Sequence, residues 1–249
     1  MQLDDKTAIV TGCSRGIGLA VANLLAENGA FIVANGRKLG ELEAATAHLP
    51  SCLSVTADVT DPRQAGNLIS RTLEFRKNID ILVCNVGSGA STPPGNETVE
   101  EWHKMFAINF YSAVNVIESA KPFLKNGANI VCISSICGNE AIPNAPITYS
   151  TAKSALNNYV NLASRYFGKL GIRINAVAPG NVIFEGSVWD EKMRKCPEKV
   201  KKIIETEVPL SKFAQPSDVA ETVLWLVTEK SKFVNGSIFT VDGGQTRSI

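Results

Sequence analysis

Tyr149 and Lys153 lie four positions apart, so a helix through them puts both side chains on one face, a single turn apart. A phenol titrates near 10 and is a poor acid or base at neutral pH. An ammonium beside it favours the phenolate and lowers that value. Such a pair can hand a proton to a carbonyl oxygen or take one from an alcohol. The pair alone is unspecific; its place just after a strand is what gives it weight. Ser134 and Ser135 end that strand, and a hydroxyl there could hold a substrate oxygen. A strand-end serine can equally satisfy backbone groups, and Ser134 is the better candidate for that duty. Asn109 is polar inside an apolar helical stretch, where asparagine is mildly unfavourable, so a structural or proton-relay role fits it.

A second group of residues points to a phosphorylated ligand. Gly12-Cys13-Ser14-Arg15-Gly16-Ile17-Gly18 joins the first strand to the first helix. Glycines let the backbone turn tightly and approach a diphosphate, and the helix N-terminus offers free N–H groups to that anion. A glycine loop by itself is weak evidence, because tight turns need glycine for steric reasons; the strand-to-helix setting strengthens it. Ligand choice is read at the end of the second strand. NAD sites place an acid there to hold the ribose hydroxyls. Here the stretch is Asn35-Gly36-Arg37-Lys38, with no acid before Glu41. A guanidinium grips an added phosphate with two hydrogen bonds, so Arg37, aided by Arg15, favours NADP over NAD. Asp58 and Val59 follow the third strand, where Asp58 either meets an adenine amino group or caps the helix that begins at Pro62. Asn85 and Gly87 follow the fourth strand, and Gly87 would let the chain pass close to the ligand.

These residues need a frame that brings them together. The chain alternates short apolar runs with helical patterns. Strands are expected at 7–11, 31–35, 52–57, 80–84, 128–134, 172–178 and 237–241. Helices are expected at 17–28, 39–48, 62–76, 99–125 and 149–170. Strands apolar on both faces imply a parallel sheet covered by helices on both sides. Right-handed crossovers make it doubly wound, with ligands at the carboxyl ends of the strands. Every motif above falls at such an end. No repeat or linker divides the chain, so residues 1–249 are expected to form one α/β domain of Rossmann type.

Composition removes other classes. The 249 residues are 45% hydrophobic and carry 25 basic against 24 acidic side chains, a net charge of +1. That balance offers no footprint for nucleic acid or anionic membrane. No apolar run is long enough to cross a bilayer, and the start shows no basic-then-apolar leader. The six cysteines form no Cys-x-x-Cys motif and read as reduced thiols in the cytoplasm. His48 and His103 have no cysteine cluster beside them, so no metal site is expected.

Together the glycine loop, Asn85-x-Gly87, Asn109, Ser135, Tyr149-x-x-x-Lys153, Pro179-Gly180 and Asp242-Gly243-Gly244 resemble the short-chain dehydrogenase/reductase family. The resemblance runs from Lys6 to Gly244 and is nearest to the compact members that include 3-oxoacyl-carrier-protein reductases. It implies a seven-stranded parallel sheet and an Asn109–Ser135–Tyr149–Lys153 tetrad. Tyr149 would be the acid/base and Lys153 would lower its pKa and hold the nicotinamide ribose. Ser135 would orient the substrate oxygen, and Asn109 would support a relay water. Pro179, Gly180 and Val182 would contact the cofactor. Implied too are a small carbonyl or alcohol substrate and a homotetramer or homodimer. Tetramers of relatives pack through the long helices. Three departures stand out. Cys84 and Val86 replace the common neighbours of Asn85. The gap from Ser135 to Tyr149 is one residue longer, which leaves a role for Ser134 open. Phe184 stands where relatives often have a cofactor-contacting threonine.

Specificity is expected in 89–96, 140–148 and an insertion at about 181–212. The insertion carries Trp189 and a charged run whose signs nearly cancel, which suits a solvated lid helix. Lys192, Arg194, Lys195 and Lys199 could instead meet a phosphorylated, nucleotide-linked or carrier-linked substrate. The leading expectation is an NADP-dependent reductase of a 3-oxoacyl thioester, keto sugar or small ketone. The alternatives are a dehydrogenase of a nucleotide-linked or phosphorylated sugar and a non-catalytic NADP(H) sensor. The longer epimerase/dehydratase relatives need a larger C-terminal domain than this chain has room for.

Overall fold

β1 (Thr7–Thr11) is buried along its whole length, and its side chains divide between two cores. Ile9 joins one hydrophobic cluster while Ala8 and Val10 join another. That division follows from the two-residue period of a strand covered on both faces. In this computed structural model, which describes residues 2–247, seven parallel strands form one sheet in the order β3-β2-β1-β4-β5-β6-β7. The other strands are β2 (Phe31–Gly36), β3 (Cys52–Thr56), β4 (Ile79–Cys84), β5 (Leu124–Ile133), β6 (Arg173–Pro179) and β7 (Ile238–Val241).

Helices cover both faces. α1 (Gly16–Glu27), α2 (Leu39–Thr46) and α9 (Pro216–Val227) bury Val21, Leu25, Leu42, Val219 and Val223 on the side of Ala8 and Val10. α3 (Pro62–Phe75), α5 (Ser112–Ala120) and α6 (Ile147–Lys169) bury Leu68, Ile69, Val116, Ile117, Leu156 and Phe167 on the side of Ile9. The chain leaves β1 toward β2 and β3, then returns to β4 on the other flank. The carboxyl ends of β1 and β4 therefore diverge at a topological switch point, the place where such sheets bind ligands.

The long helix expected over 99–125 is broken. α4 (Val99–Phe106) passes into a π-helical turn at Ala107–Tyr111, then into α5, then into a short 3-10 turn at Lys121–Phe123. Within the π turn, Asn109 Nδ2 donates to the Met105 carbonyl four residues back, at 3.1 Å, and so competes with the helix's own ladder. Pro122 has no N–H to continue a helix, and Leu124 already begins β5. The segment expected to hold one lid helix holds two, α7 (Val188–Lys195) and α8 (Pro197–Glu207). The remaining expected elements are present with ends moved by one or two residues, except that β5 begins four residues earlier than expected, at Leu124; α9 was not among the expected helices. Among the described residues no helix is long and apolar enough to cross a membrane.

Candidate active site

The loop from β1 to α1 is shaped for an anion. Arg15, at the start of α1, gives no side-chain cap, and the first turn has no acid, so its N–H groups stay open. Gly12 and Gly16 have φ of 71° and 61°, a conformation that side chains resist. A Cβ on Gly18 would stand 2.3 Å from the Gly12 carbonyl oxygen and 2.5 Å from Asn85 Nδ2. Only glycine lets α1 pack that closely. Asn85 braces the loop from β4: its Nδ2 donates to the Thr11 carbonyl at 2.9 Å and its N–H donates to the Thr11 hydroxyl at 2.9 Å.

Beyond β2, three cations gather around one carboxylate. Lys38 Nζ is 2.7 Å from Glu41 Oε1, and Lys38, Arg15 and Arg37 together hold that carboxyl below its usual range. Ser14 Oγ comes so near Gly36 that a Cβ there would stand 2.7 Å away. Arg15 Nη1 donates to the Gly186 carbonyl at 3.1 Å. Asn35 is buried, and its Nδ2 donates to the Val55 and Ala57 carbonyls, both at 3.1 Å, tying β2 to β3. Asp58 is not the cap of α3; Asp61 is. Asp58 Oδ1 accepts from the Thr60 N–H and hydroxyl, and Asn115 Nδ2 holds the Val59 and Thr60 carbonyls at 3.1 Å. Pro179 ends β6 and Gly180 packs on Asp242, whose Cβ would lie 2.8 Å from one added to Gly180. Val182 is buried and pairs with Ala214.

The second half of the site is built on β5, α6 and the π turn. Lys153 is buried, its Nζ donates to the Ile133 carbonyl at 2.8 Å, and burial pushes its pKa down to about 8. A Cβ on Gly87 would meet Lys153 Nζ at 2.9 Å and Asn109 Oδ1 at 3.0 Å, so this glycine admits both. Asn109 Oδ1 accepts from the Ser88 N–H at 2.9 Å, and its Nδ2 donates to the Ser88 carbonyl at 3.1 Å. The side chain thereby clamps the loop after β4.

Ser134 and Ser135 separate clearly. The Ser134 hydroxyl donates to the Lys153 carbonyl at 3.5 Å, while the Ser135 hydroxyl lies beside the Tyr149 phenol and accepts from the Cys137 N–H at 3.2 Å. The electrostatics of Tyr149 differ from the expectation that Lys153 would lower its pKa. Burial pushes the phenol above its ordinary range, and the group that opposes this is Ser135. Lys153 is spent on Ile133 and is itself desolvated, so the phenol holds its proton at neutral pH. The loop between Ser135 and Tyr149 holds Asn144 at φ 61°.

Several participants were not expected from sequence. Cys137 lies beside Tyr149, Lys153, Ser135 and Ser150. Ser88 acts through its backbone, which no side-chain pattern could reveal. Thr11 had a readable signal, a hydroxyl closing an apolar strand ahead of the glycine loop. Among the described residues no three His, Cys, Asp or Glu side chains converge as a metal site would require.

The family described as Enoyl-(Acyl carrier protein) reductase matches residues 12–246. This chain belongs to the short-chain dehydrogenase/reductase family. A Bacillus subtilis member, glucose 1-dehydrogenase 2, is 31% identical over 98% of this chain and 96% of its own. The 3-oxoacyl-acyl-carrier-protein reductase of Thermotoga maritima is 29% identical over 98% and 99% of the two chains. The structure of a Burkholderia cenocepacia short-chain dehydrogenase in complex with NADP superposes with a TM-score of 0.90 at 26% identity, covering 98% and 99%. Chain length and fold are thus those of an oxidoreductase family.

Proposed function

We propose that this short-chain dehydrogenase/reductase is an NADP-dependent enzyme that interconverts a carbonyl and an alcohol, with Tyr149 as its acid/base. The observation that carries the reading is the Tyr149 phenol, beside Ser135 and one helical turn from the buried Lys153 ammonium. A dinucleotide fits the other half of the site: an uncapped helix start behind Gly12, Gly16 and Gly18, flanked by Arg15, Arg37 and Lys38. The absence of an acid at the end of β2 and the positive cluster there favour the 2′-phosphate of NADP over the free hydroxyls of NAD. The NADP complex of the Burkholderia relative supports the same choice.

When bound, the nicotinamide supplies or accepts the hydride. The protein does the rest. Ser135 donates to the substrate oxygen and fixes it against the phenol. Tyr149, kept protonated by burial, gives its proton to that oxygen during reduction and takes it back during oxidation. Lys153, anchored to the Ile133 carbonyl, holds the nicotinamide ribose beside the phenol. Asn109 holds the Ser88 backbone over the site and supports a relay water. Asn35, Asp58, Val59, Asn85, Gly87, Pro179, Gly180 and Val182 shape the cofactor groove. Residues 181–212 act as a lid on the substrate, which is a 3-oxoacyl thioester, keto sugar or small ketone. The two curated relatives named above span that range of chemistry. The working form is a homotetramer or homodimer in the cytoplasm.

The test is NADPH oxidation over acyl thioesters, keto sugars and diketones, with Tyr149→Phe as the blank. A turnover that falls by at least about a thousandfold in the variant, with NADPH affinity unchanged, is expected. Retained turnover would overturn the role of Tyr149.

A further inference from the structure

The turn after β6 lies on the glycine loop. Three carbons of the Phe184 ring stand 2.4, 2.6 and 2.9 Å from where a Cβ on Gly16 would be, so the ring tip rests on the first residue of α1. A second fastening lies beside it, the 3.1 Å bond from Arg15 Nη1 to the Gly186 carbonyl. The turn is stiff. The Phe184 N–H donates to Ser187 Oγ at 3.2 Å, the Gly186 N–H donates to Asp190 Oδ2 at 2.8 Å, and Gly186 has φ 73°. Ser187 then caps α7, so whatever moves this turn moves α7 with it.

The space outside Gly16 is the approach to the open N–H groups of α1, and a diphosphate and an aromatic ring compete for it. We propose that Phe184 is a gate on the cofactor groove, latched by Arg15 to Gly186, and that the 2′-phosphate of NADP opens it by drawing Arg15 away. The proposal rests on the NADP reading above. It makes Arg15 serve two partners, the lid carbonyl when the groove is closed and the phosphate when it is filled. It couples cofactor identity to lid position, because a cofactor without the 2′-phosphate leaves the latch in place.

A protein whose competent state is only partly populated binds with its affinity reduced by that fraction. Removing the ring therefore tightens binding. NADPH fluorescence titration and stopped-flow mixing of Phe184→Ala should show about a 3- to 10-fold lower Kd, gained in the association rate. Adenosine 2′-monophosphate, whose phosphate must also free Arg15 from the closed lid, should likewise bind the variant more tightly than the wild type. Phe184→Leu keeps an apolar anchor, secures the test if the alanine variant folds poorly, and should change in the same direction by less. In the wild type, adenosine 2′-monophosphate should speed amide exchange over 183–195, and adenosine 5′-monophosphate should not.

Unchanged or weaker NADPH binding in both variants would overturn the gate, the latter by making Phe184 a binding surface. Equal exchange with the two monophosphates would overturn the Arg15 latch. Failure of the wild type and both variants to bind NADPH would overturn the cofactor reading and the gate together, an outcome distinct from the others.

Discussion

Lys153 shows how a site residue is held against its own preference. Its ammonium is buried and has one carbonyl partner, so its pKa is depressed from 10.5 to about 8. Between those two values the unfolded chain binds more protons than the folded one, so this group's contribution to stability improves as pH rises through that window. Lys153→Met should therefore abolish turnover yet stabilise the fold at pH 7 by about 1–2 kcal/mol, with the advantage shrinking by pH 10. Urea unfolding at the two pH values checks this; a variant less stable than wild type at pH 7 would contradict it. Arg37 is the opposite case, an exposed cation whose proposed worth lies in binding. Arg37→Asp should weaken NADPH about 10- to 100-fold and leave NADH nearly unchanged in fluorescence titrations. Equal losses for both would show that Arg37 does not read the phosphate.

At the scale of elements, the site depends on close approaches that leave no room for a methyl group. α1 meets the loop from β1 where Gly18 faces the Gly12 carbonyl, and backbone cannot yield as a side chain can. Gly18→Ala should cost about 1–3 kcal/mol in thermal or urea unfolding and abolish dinucleotide binding, since the helix must shift. A variant that binds normally would mean the loop is not the phosphate cradle. The π turn is a second device of this kind. It widens one helical turn at Asn109, whose side chain then bridges to Ser88 rather than pointing idly along the helix. Such turns recur at functional sites because they redirect a side chain without ending the helix.

For the whole molecule, α6 and the π turn leave large apolar side chains half exposed at the surface. Tyr111, Leu162 and Tyr166 are 51%, 60% and 50% exposed. Beneath them runs an aromatic series in which Phe110 packs edge-on against Tyr111 and Tyr159. A face of this kind suits contact with a second copy. Sedimentation equilibrium should find a tetramer or dimer, and Leu162→Glu combined with Tyr166→Glu should dissociate it toward monomers. A monomeric wild type would remove the proposal.

The strand rhythm, the glycine loop, the Tyr149–Lys153 spacing and the acid-free end of β2 are all local patterns, and they were legible because the strand and helix periods print directly onto sequence. They determined the sheet and the family, and they named the residues whose chemistry is proposed at its carboxyl end. What only the tertiary structure decided depends on groups far apart in the chain. Ser135 rather than Ser134 faces the phenol because helix α6 crosses β5 at that point. The π turn within the helix expected over 99–125 goes with Asn109, which bonds Met105 inside the helix and Ser88 across a loop. The phenol is governed by burial and Ser135, not by Lys153, because desolvation depends on everything packed around a group and not on its neighbours in sequence. Phe184 reads from sequence only as a missing threonine; its ring on Gly16 is visible only once the ends of β1 and β6 are brought together.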